Sequence, residues 1–191
     1  ELLIKNNYNL IAIVRDEKSK VTTELAQIGV ELHYVGNLFE LKNFHIQHKN
    51  IKLIINVAGY AHTRISKKRL KKDHFDKINN IEKNIINNFK DKNLKIIHIS
   101  SAKIRENYSK QENISSYEII KSRSENLVKE HFINHIILRP PLIYGPGVKA
   151  NFLYLIKAID HSIPLPFKRL NNKRSYIYIE NLINAILFLI K

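Results

Sequence analysis

The sequence predicts an α/β protein with a doubly wound parallel sheet. Short apolar runs rich in β-branched residues, such as residues 10–15 and 135–138, alternate with helix-like segments along the chain. Strands that alternate with helices form parallel βαβ units with right-handed crossovers. Small and polar residues follow several of these strands, where doubly wound sheets bind their ligands. The pattern is that of a Rossmann-type ligand-binding fold.

Each predicted element has its own signal. Residues 1–7 resemble the last turn of a helix that ends at a polar turn. Ser115 followed by Glu118 forms a capping box, which predicts that a helix begins there. Apolar side chains at spacings of three and four mark a long amphipathic helix (Phe75, Ile78, Ile81, Ile85 and Phe89). The predicted order is strand 10–15, helix 18–28, strand 31–35, strand 51–57, helix 66–90, strand 95–100, helix 115–132 and strand 135–138.

Length and composition narrow the class of protein. A chain of 191 residues forms one domain or most of one, with a sizeable core. No apolar run approaches the roughly 18 to 20 residues that span a bilayer, and no secretory signal precedes the first strand. The chain has no cysteine, which excludes disulfides and thiolate chemistry and fits a cytoplasmic protein. It also has no methionine, so we expect a fragment or a trimmed product.

The formal net charge of +15 raises the alternative of a nucleic-acid-binding protein. The densest basic run, residues 67–72, lacks the interleaved aromatic residues of a base-stacking platform. The other lysines are scattered through the helical segments. We therefore favour a solvated basic face that attracts an anionic substrate, and RNA binding remains the weaker alternative.

Tyr117 and Lys121 form a candidate proton-transfer pair. They are four residues apart on the predicted helix, so their side chains lie on one face. A free phenol titrates near pH ~10 and is a poor base at neutral pH, but a fixed ammonium nearby favours the phenolate. A tyrosine and a lysine at this spacing also occur by chance, so the pair alone does not establish chemistry.

The order of the surrounding segments strengthens the interpretation. Residues 96–101 read Ile-Ile-His-Ile-Ser-Ser, a strand that ends in two hydroxyls, and residues 139–147 read Arg-Pro-Pro-Leu-Ile-Tyr-Gly-Pro-Gly. With the Tyr-x-x-x-Lys helix between them, the chain resembles the extended short-chain dehydrogenase/reductases from about residue 10 to its end. Within that family it is similar to the nucleotide-sugar branch of UDP-glucose 4-epimerase-like enzymes and 4-ketoreductases. This resemblance implies an NAD(P)-dependent isomerase or oxidoreductase.

The resemblance also implies a catalytic set. Tyr117 would be the acid/base, Lys121 would hold the nicotinamide ribose and favour the phenolate, and Ser101 would hydrogen-bond the reacting oxygen. Asn79 matches an asparagine that supports the lysine through water, although this chain is rich in asparagine. A serine at the end of a strand can also simply cap the next turn.

The cofactor would lie along the ends of the first three strands. Asn37 and Leu38 match positions that flank adenine, and Ala58 and Gly59 match a turn that lets the backbone approach the cofactor. Arg15 stands where NAD-preferring relatives have an acidic residue, so it favours NADP over NAD through a 2′-phosphate. A surface pair of Arg15 with the next aspartate is the alternative.

The substrate-binding region would begin after the Gly-Pro-Gly turn. Asn151 would donate a hydrogen bond to a phosphate oxygen, and Arg174 would pair with the diphosphate of a UDP-sugar. The alternatives are an asparagine at the start of a helix and a solvated arginine in a basic loop. Ala102 and Lys103 replace the two carboxylates of relatives that eliminate water, which disfavours a dehydratase. Residues 1–145 would form the cofactor-binding core, and residues 146–191 would form part of the substrate region with a returning strand and helix.

One expected feature is missing from the sequence. A dinucleotide-binding sheet opens with a strand and a Gly-rich turn whose amides hold the pyrophosphate. The five glycines of this chain form no such turn, so the fold is expected to be truncated at its start, and its family also continues past the last helix.

Three hypotheses therefore stand. The first is an epimerase or 4-ketoreductase for a UDP-sugar of surface polysaccharide, with a homodimer through helices 66–90 and 115–132. The second is an inactive remnant that binds no dinucleotide, and the third is a basic RNA-binding protein. The histidines show no ligand-like spacing, so no metal site is expected (His62, His98 and His135).

Overall fold

The computed structural model describes the chain in eight stretches. They are residues 2–36, 50–58, 80–89, 91, 93–104, 115–147, 150–165 and 173–191. Within them, parallel strands alternate with helices, which confirms the predicted fold class.

The first unit is a βαβ crossover. After a short helix α1 (Leu2–Lys5), strand β1 (Ile11–Val14), helix α2 (Lys20–Gln27) and strand β2 (Glu31–Tyr34) follow one another. The two strands pair in parallel, with Ile11 opposite Glu31. Helix α2 begins where the Ser19 hydroxyl accepts a hydrogen bond from the Thr22 amide at 3.1 Å, which satisfies one of the otherwise unpaired amides of the first turn.

The central unit is a three-stranded parallel sheet. Its strands are β3 (Leu53–Asn56), β4 (Lys95–Ile99) and β5 (His135–Leu138), in the order β3-β4-β5. Helix α3 (Asn80–Asn88) precedes β4, and helix α4 (Ser116–His131) connects β4 to β5. Because β4 has a partner on each side, its side chains are the most deeply buried of any strand described.

The hydrophobic core lies between this sheet and helices α3 and α4. Phe132 and Ile96 are fully buried and Val128 is 1% exposed. Burying a side chain of this size stabilises the fold by roughly 1.5 to 3 kcal/mol. Around them pack Leu94 and five partly buried residues (Ile51, Ile54, Ile85, Ile86 and Phe89). The predicted apolar stripe of the long helix is therefore confirmed for its last turns, whereas residues 66–79 lie outside the described stretches.

The last unit is smaller. Strands β6 (Leu142–Tyr144) and β7 (Tyr176–Tyr178) pair in parallel, helix α5 (Ala150–Asp160) lies between them in sequence, and helix α6 (Ile179–Ile190) follows β7 directly. Gly145 joins β6 to the next turn with a φ of +149°, and a Cβ there would lie 2.5 Å from a side-chain carbon of Ile179. Only glycine fits this close approach.

The described strands form three separate hydrogen-bonded ladders, which are β1-β2, β3-β4-β5 and β6-β7. Among the described residues, no ladder joins β1 to β3 or β5 to β6.

The described residues contain neither a membrane-spanning helix nor a metal-binding cluster. None of their helices combines the length and apolarity needed to cross a bilayer. No group of three or more of their His, Asp and Glu side chains is arranged to hold a metal ion.

Candidate functional site

The carboxyl end of β4 carries the two serines singled out by the sequence. Its pairing with β5 continues past the strands, since the Ser100 amide donates to Leu138 O at 2.7 Å and the Ala102 amide to Pro140 O at 3.0 Å. Ser101 lies between these two anchored residues and is partly buried. Its hydroxyl accepts a hydrogen bond from the Lys103 amide at 3.3 Å. The backbone thus fixes Ser101 at the edge of the sheet where ligands bind.

Lys121 is bound to the same strand end. Its ammonium donates a hydrogen bond to Ile99 O at 3.0 Å, and the residue is only 8% exposed. Burial lowers the pKa of Lys121, while the carboxylates of Glu82 and Glu125 oppose that shift by favouring the charged form. The ammonium is therefore held next to the two serines at a titration range below that of a surface lysine.

Tyr117 lies one turn before Lys121, at the start of α4. The capping box places it there: the Ser115 hydroxyl accepts from the Glu118 amide, and the Glu118 carboxylate accepts from the Ser115 amide at 2.9 Å. The Tyr117 ring is partly buried, and the ammonium of Lys103 lies 5.7 Å from its centroid. That distance is within the range of a cation–π interaction.

The structure places Tyr117, Lys121 and Ser101 at the carboxyl end of β4. Their connection is through residues next to Ser101 and not through direct contacts with it. Lys121 contacts the residue before the serine pair, and Tyr117 contacts Lys103, two residues after Ser101. The Tyr117 hydroxyl makes no hydrogen bond to any other described residue. In sites without a bound substrate, catalytic hydrogen bonds are often long and close only in the complex. The fourth predicted member, Asn79, lies outside the described residues.

Glu125, one turn after Lys121, was missed by sequence reasoning. It is 2% exposed and accepts two hydrogen bonds from Arg139, at 2.9 Å from Nε and 2.7 Å from Nη2. Burial raises the pKa of Glu125, but the hydrogen bonds and charge of Arg139, with further contributions from Ser100 and Lys129, outweigh it and hold that pKa below its ordinary value. The pair fastens the loop after β5 to α4. Its sequence signal is a glutamate four residues after the lysine on the same helix face.

A second buried polar group was also missed. It consists of Asn56 from β3, Glu82 from α3, His98 from β4 and Ser124 from α4, each at most 5% exposed. His98 Nδ1 lies 3.0 Å from Asn56 Nδ2, and His98 Nε2 lies 3.0 Å from the Ser124 hydroxyl. Ser124 Oγ and Asn56 Nδ2 lie 2.6 Å and 3.4 Å from Glu82 Oε1. The available signal was a polar residue inside each of two apolar strands.

The predicted cofactor residues are only partly within the described stretches. Arg15 is exposed and directly follows β1, while the neighbouring Asp16 carboxylate accepts from the Lys18 amide at 3.0 Å. Ala58 follows β3, and its amide donates to Asn56 Oδ1 at 3.1 Å. Both therefore lie at carboxyl ends of parallel strands, as the fold requires of ligand-binding positions. The other three lie outside the described residues (Asn37, Leu38 and Gly59).

The predicted substrate residues lie around β6 and β7. Asn151 is the second residue of α5, and its side chain is outside the described part of the structure. Arg174 is exposed, two residues before β7. Beside them, four aromatic rings pack with centroids 5.2 to 5.8 Å apart, a cluster that sequence reasoning did not identify (Tyr144, Phe152, Tyr176 and Tyr178).

The chain is similar to known proteins in sequence and in fold. The model of the NAD dependent epimerase/dehydratase family matches residues 1–191. UDP-glucose 4-epimerase of Vibrio cholerae is 29% identical over 209 residues, an alignment that covers 97% of this chain and 60% of that protein. This chain therefore spans about three fifths of the length of the curated relative it matches.

Two solved structures have a similar fold. ADP-L-glycero-D-manno-heptose-6-epimerase of Helicobacter pylori superposes with a TM-score of 0.61 at 18% identity, over 97% of this chain and 66% of that one. MoeE5, solved in complex with UDP-glucose and NAD, superposes with a TM-score of 0.60 at 15% identity, over 97% of this chain and 64% of that one. At these identities the likeness establishes the fold alone.

Proposed function

Because this chain belongs to the NAD-dependent epimerase/dehydratase family, we propose that it carries the catalytic segment of a nucleotide-sugar epimerase or 4-ketoreductase. The observation that best supports this is the Lys121 ammonium at the carboxyl end of β4, with Tyr117 one turn earlier on α4. We assign a UDP-sugar as substrate, surface polysaccharide synthesis as the process and the cytoplasm as the compartment. Residues 1–145 would form the cofactor-binding core and residues 146–191 part of the substrate region.

The donors of Lys121 fit a nicotinamide ribose. An ammonium has three N–H donors, and one of them goes to Ile99 O. The other two have no acceptor among the described residues, so they are available to ribose hydroxyls. NAD(P), when bound, supplies the carbon that accepts and returns the hydride. The sequence offers no Gly-rich turn for the pyrophosphate, and we assign no residue of this chain to that contact.

The protein residues would move the proton. Tyr117, as phenolate, takes the proton of a sugar hydroxyl while that carbon is oxidised, and Lys121 stabilises the phenolate by its charge. Ser101 donates a hydrogen bond to the reacting oxygen. An epimerase would then reduce the 4-keto sugar from its other face, whereas a reductase would catalyse only the reduction.

Binding of NADPH, measured by fluorescence titration into the purified chain, tests the cofactor assignment. We expect saturable binding that Lys121→Met weakens at least tenfold, with Lys18→Met, an exposed lysine, as the control. If Arg15 pairs with a 2′-phosphate, Arg15→Ala will weaken NADPH and leave NADH unchanged. Equal affinities for both cofactors in the variant and the parent would refute the NADP preference.

Turnover is tested by interconversion of UDP-glucose and UDP-galactose and by reduction of a 4-keto nucleotide sugar. Tyr117→Phe removes the acid/base hydroxyl and should abolish either activity, while Tyr154→Phe, an exposed tyrosine on α5, should not. Activity in Tyr117→Phe equal to that of the parent would exclude Tyr117 as the acid/base.

A remnant without dinucleotide binding is the second candidate, and the missing Gly-rich turn favours it. It predicts no saturable NADPH binding by this chain and recovered binding when a Gly-rich strand and turn precede residue 1. RNA binding is the weaker alternative, based on the charge of +15; its run of residues 67–72 lies outside the described part of the structure. RNA affinity that falls steeply with salt would support it.

We also propose a homodimer through the helices at 66–90 and 115–132. Within the described part of these segments, α3 and α4 pack against each other. Sedimentation velocity would measure the mass, and a monomer at micromolar concentration would contradict the dimer.

A further inference from the structure

In the buried polar group of Asn56, Glu82, His98 and Ser124, the donor and the acceptor of each hydrogen bond can be assigned. The assignment begins at Asn56. The Asn56 side-chain oxygen accepts from the Ala58 amide at 3.1 Å, so its NH₂ group is the end that faces His98 and Glu82. An NH₂ group can only donate. His98 Nδ1, 3.0 Å away, must therefore accept.

The tautomer of His98 follows from this contact. Burial lowers the pKa of His98 to about 4, and the charge of Lys121 adds to that effect while Glu125 opposes it. The ring is therefore neutral at pH 7, and because Nδ1 accepts, its one proton is on Nε2. This N–H donates to the Ser124 hydroxyl at 3.0 Å.

Ser124 in turn donates a hydrogen bond to Glu82. Its oxygen already accepts from His98, and its own proton points to Glu82 Oε1, which lies 2.6 Å away. Asn56 Nδ2 donates to the same carboxylate oxygen at 3.4 Å. Every donor in the group therefore leads to the Glu82 carboxylate. Through these bonds the turn after β3 is connected to helix α3.

This series of hydrogen bonds passes through Ser124, about one turn of α4 from Lys121. Ser124 is three residues after Lys121 on α4, so both side chains project from the same helix face. Three titratable groups from the packed elements interact electrostatically with the ammonium: Glu82 from α3, Glu125 from α4 and His98 from β4. Glu125 is already paired with Arg139, and His98 is neutral. Ser124 and Asn56 hold the Glu82 carboxylate by hydrogen bonds, and its charge favours the protonated form of Lys121.

We propose that Glu82 is a positioning residue for Lys121, held by the buried hydrogen-bond chain so that its negative charge keeps the lysine amine protonated. Among the groups that raise the pKa of Lys121 against burial, Glu82 is the first. The catalytic meaning of this role rests on the proposed function, in which the charged amine stabilises the Tyr117 phenolate. The electrostatic role itself can be measured without cofactor or substrate.

The same side chains resemble a Ser-His-Asn nucleophile arrangement, but the geometry excludes that use. Ser124 is 2% exposed, so no substrate reaches its hydroxyl. His98 Nε2 carries a proton and donates to Ser124, so it is unable to act as the base that activates a nucleophile. The donors of these hydrogen bonds instead lead to the Glu82 carboxylate, as expected if the group holds that carboxylate near the Lys121 ammonium.

Glu82→Gln is the decisive variant. Glutamine has the shape of glutamate and its amide oxygen still accepts from Ser124, so the variant removes the charge and keeps the hydrogen-bond chain. Glu130→Gln on the exposed side of α4 is the matched control. The pKa of Lys121 is measured by NMR on protein with ¹³Cε-labelled lysine, and the signal that disappears in Lys121→Arg identifies it.

We expect the pKa of Lys121 to fall by about one unit in Glu82→Gln, a roughly tenfold change in the ratio of neutral to charged amine, and to stay constant in Glu130→Gln. An unchanged Lys121 titration in a folded Glu82→Gln would overturn the proposal. If that variant does not fold, Ser124→Ala decides, because it releases the carboxylate from its place. A Lys121 titration unmoved in Ser124→Ala would equally overturn the role of the chain.

Failure of this inference and failure of the proposed function give different results. If Glu82 has no effect, Lys121 titrates alike in parent and variant, whether or not NADPH binds. If the function is wrong, NADPH does not bind, yet Lys121 still responds to Glu82. Where turnover is measurable, the acid limb of the pH–activity profile should lie at higher pH in Glu82→Gln than in the parent, because the Tyr117 phenolate is then less stabilised. In Glu82→Asp, which keeps the charge, the acid limb should lie closer to that of the parent.

Discussion

Replacing Arg139 with glutamine removes the cation that neutralises the most deeply buried carboxylate of the described residues. Glu125 is 2% exposed and receives both of its close hydrogen bonds from Arg139, at 2.9 and 2.7 Å. Truncating one partner of a buried pair costs about 3 to 5 kcal/mol, because the other charge stays buried without compensation. The Arg139 side chain is 31% exposed and Lys129 lies 3.8 Å from the carboxylate, so screening and a second cation place the expected loss nearer about 2 to 3 kcal/mol.

The pH dependence of the free energy of unfolding gives a sharper test, because the contribution of Glu125 to it has opposite signs in the parent and in Arg139→Gln. In the parent, the pKa of Glu125 is held below its ordinary value, so its stabilisation is complete above the unfolded pKa of about 4.3 and is lost as the pH falls through the folded pKa. In Arg139→Gln, burial dominates and raises the pKa of Glu125 above the unfolded value. The folded variant then binds the extra proton, and its deficit relative to the parent should shrink as the pH falls from 7 to 5.

Urea unfolding followed by far-UV circular dichroism measures both effects. A loss of 2 to 3 kcal/mol lowers the urea midpoint by about 1 to 2 M. The control is the double variant Glu125→Gln/Arg139→Gln, which removes both charges and should recover most of the lost stability. If Arg139→Gln unfolds at the parent midpoint, or if its deficit grows as the pH falls to 5, the carboxylate is not held by Arg139 as described.

Three further predictions concern the frame of the site. Phe132→Ala should lower the free energy of unfolding by about 3 to 5 kcal/mol, because Phe132 is fully buried. Ile133 is 74% exposed, so Ile133→Ala should change it by less than about 0.5 kcal/mol, and similar losses for both variants in urea unfolding would contradict the assigned core. Gly145→Ala should cost more than Gly147→Ala, since a Cβ at Gly145 meets a side chain of α6 at 2.5 Å and at Gly147 meets nothing within 4 Å; equal melting temperatures would refute the close approach. Ser115→Ala should cost about 1 kcal/mol through loss of the N-cap of α4, and an unchanged melting temperature would show that the cap is dispensable.

Local signals were enough to predict most of the elements. The capping box located the start of α4 at Ser115, and the apolar runs located β1 to β5 to within one or two residues at each end. These features depend on contacts between residues close in sequence, which periodicity and capping rules describe.

The buried polar chain was not predictable in the same way. Glu82 and Ser124 are 42 residues apart, as are Asn56 and His98, and their contacts depend on how α3 and α4 pack on the sheet. The polar positions inside two apolar strands indicated only that some partner must exist. Which residue would be the partner required the packing of the helices, and so did the bidentate pair of Glu125 with Arg139.

The distribution of buried polar groups argues that this part of the fold was selected for a site and not for stability alone. Of the nine polar or charged residues buried in the described stretches, seven surround the end of β4 (Asn56, Glu82, His98, Ser100, Lys121, Ser124 and Glu125). Replacing buried ionic groups by apolar residues of similar size is often neutral or stabilising, so a core built for stability has no need of them there. Their concentration around one ammonium instead gives that ammonium a fixed position, through Ile99 O, and a tuned charge, through Glu82 and Glu125. The role that we propose for Lys121, which is to hold the nicotinamide ribose and stabilise the Tyr117 phenolate, requires both properties.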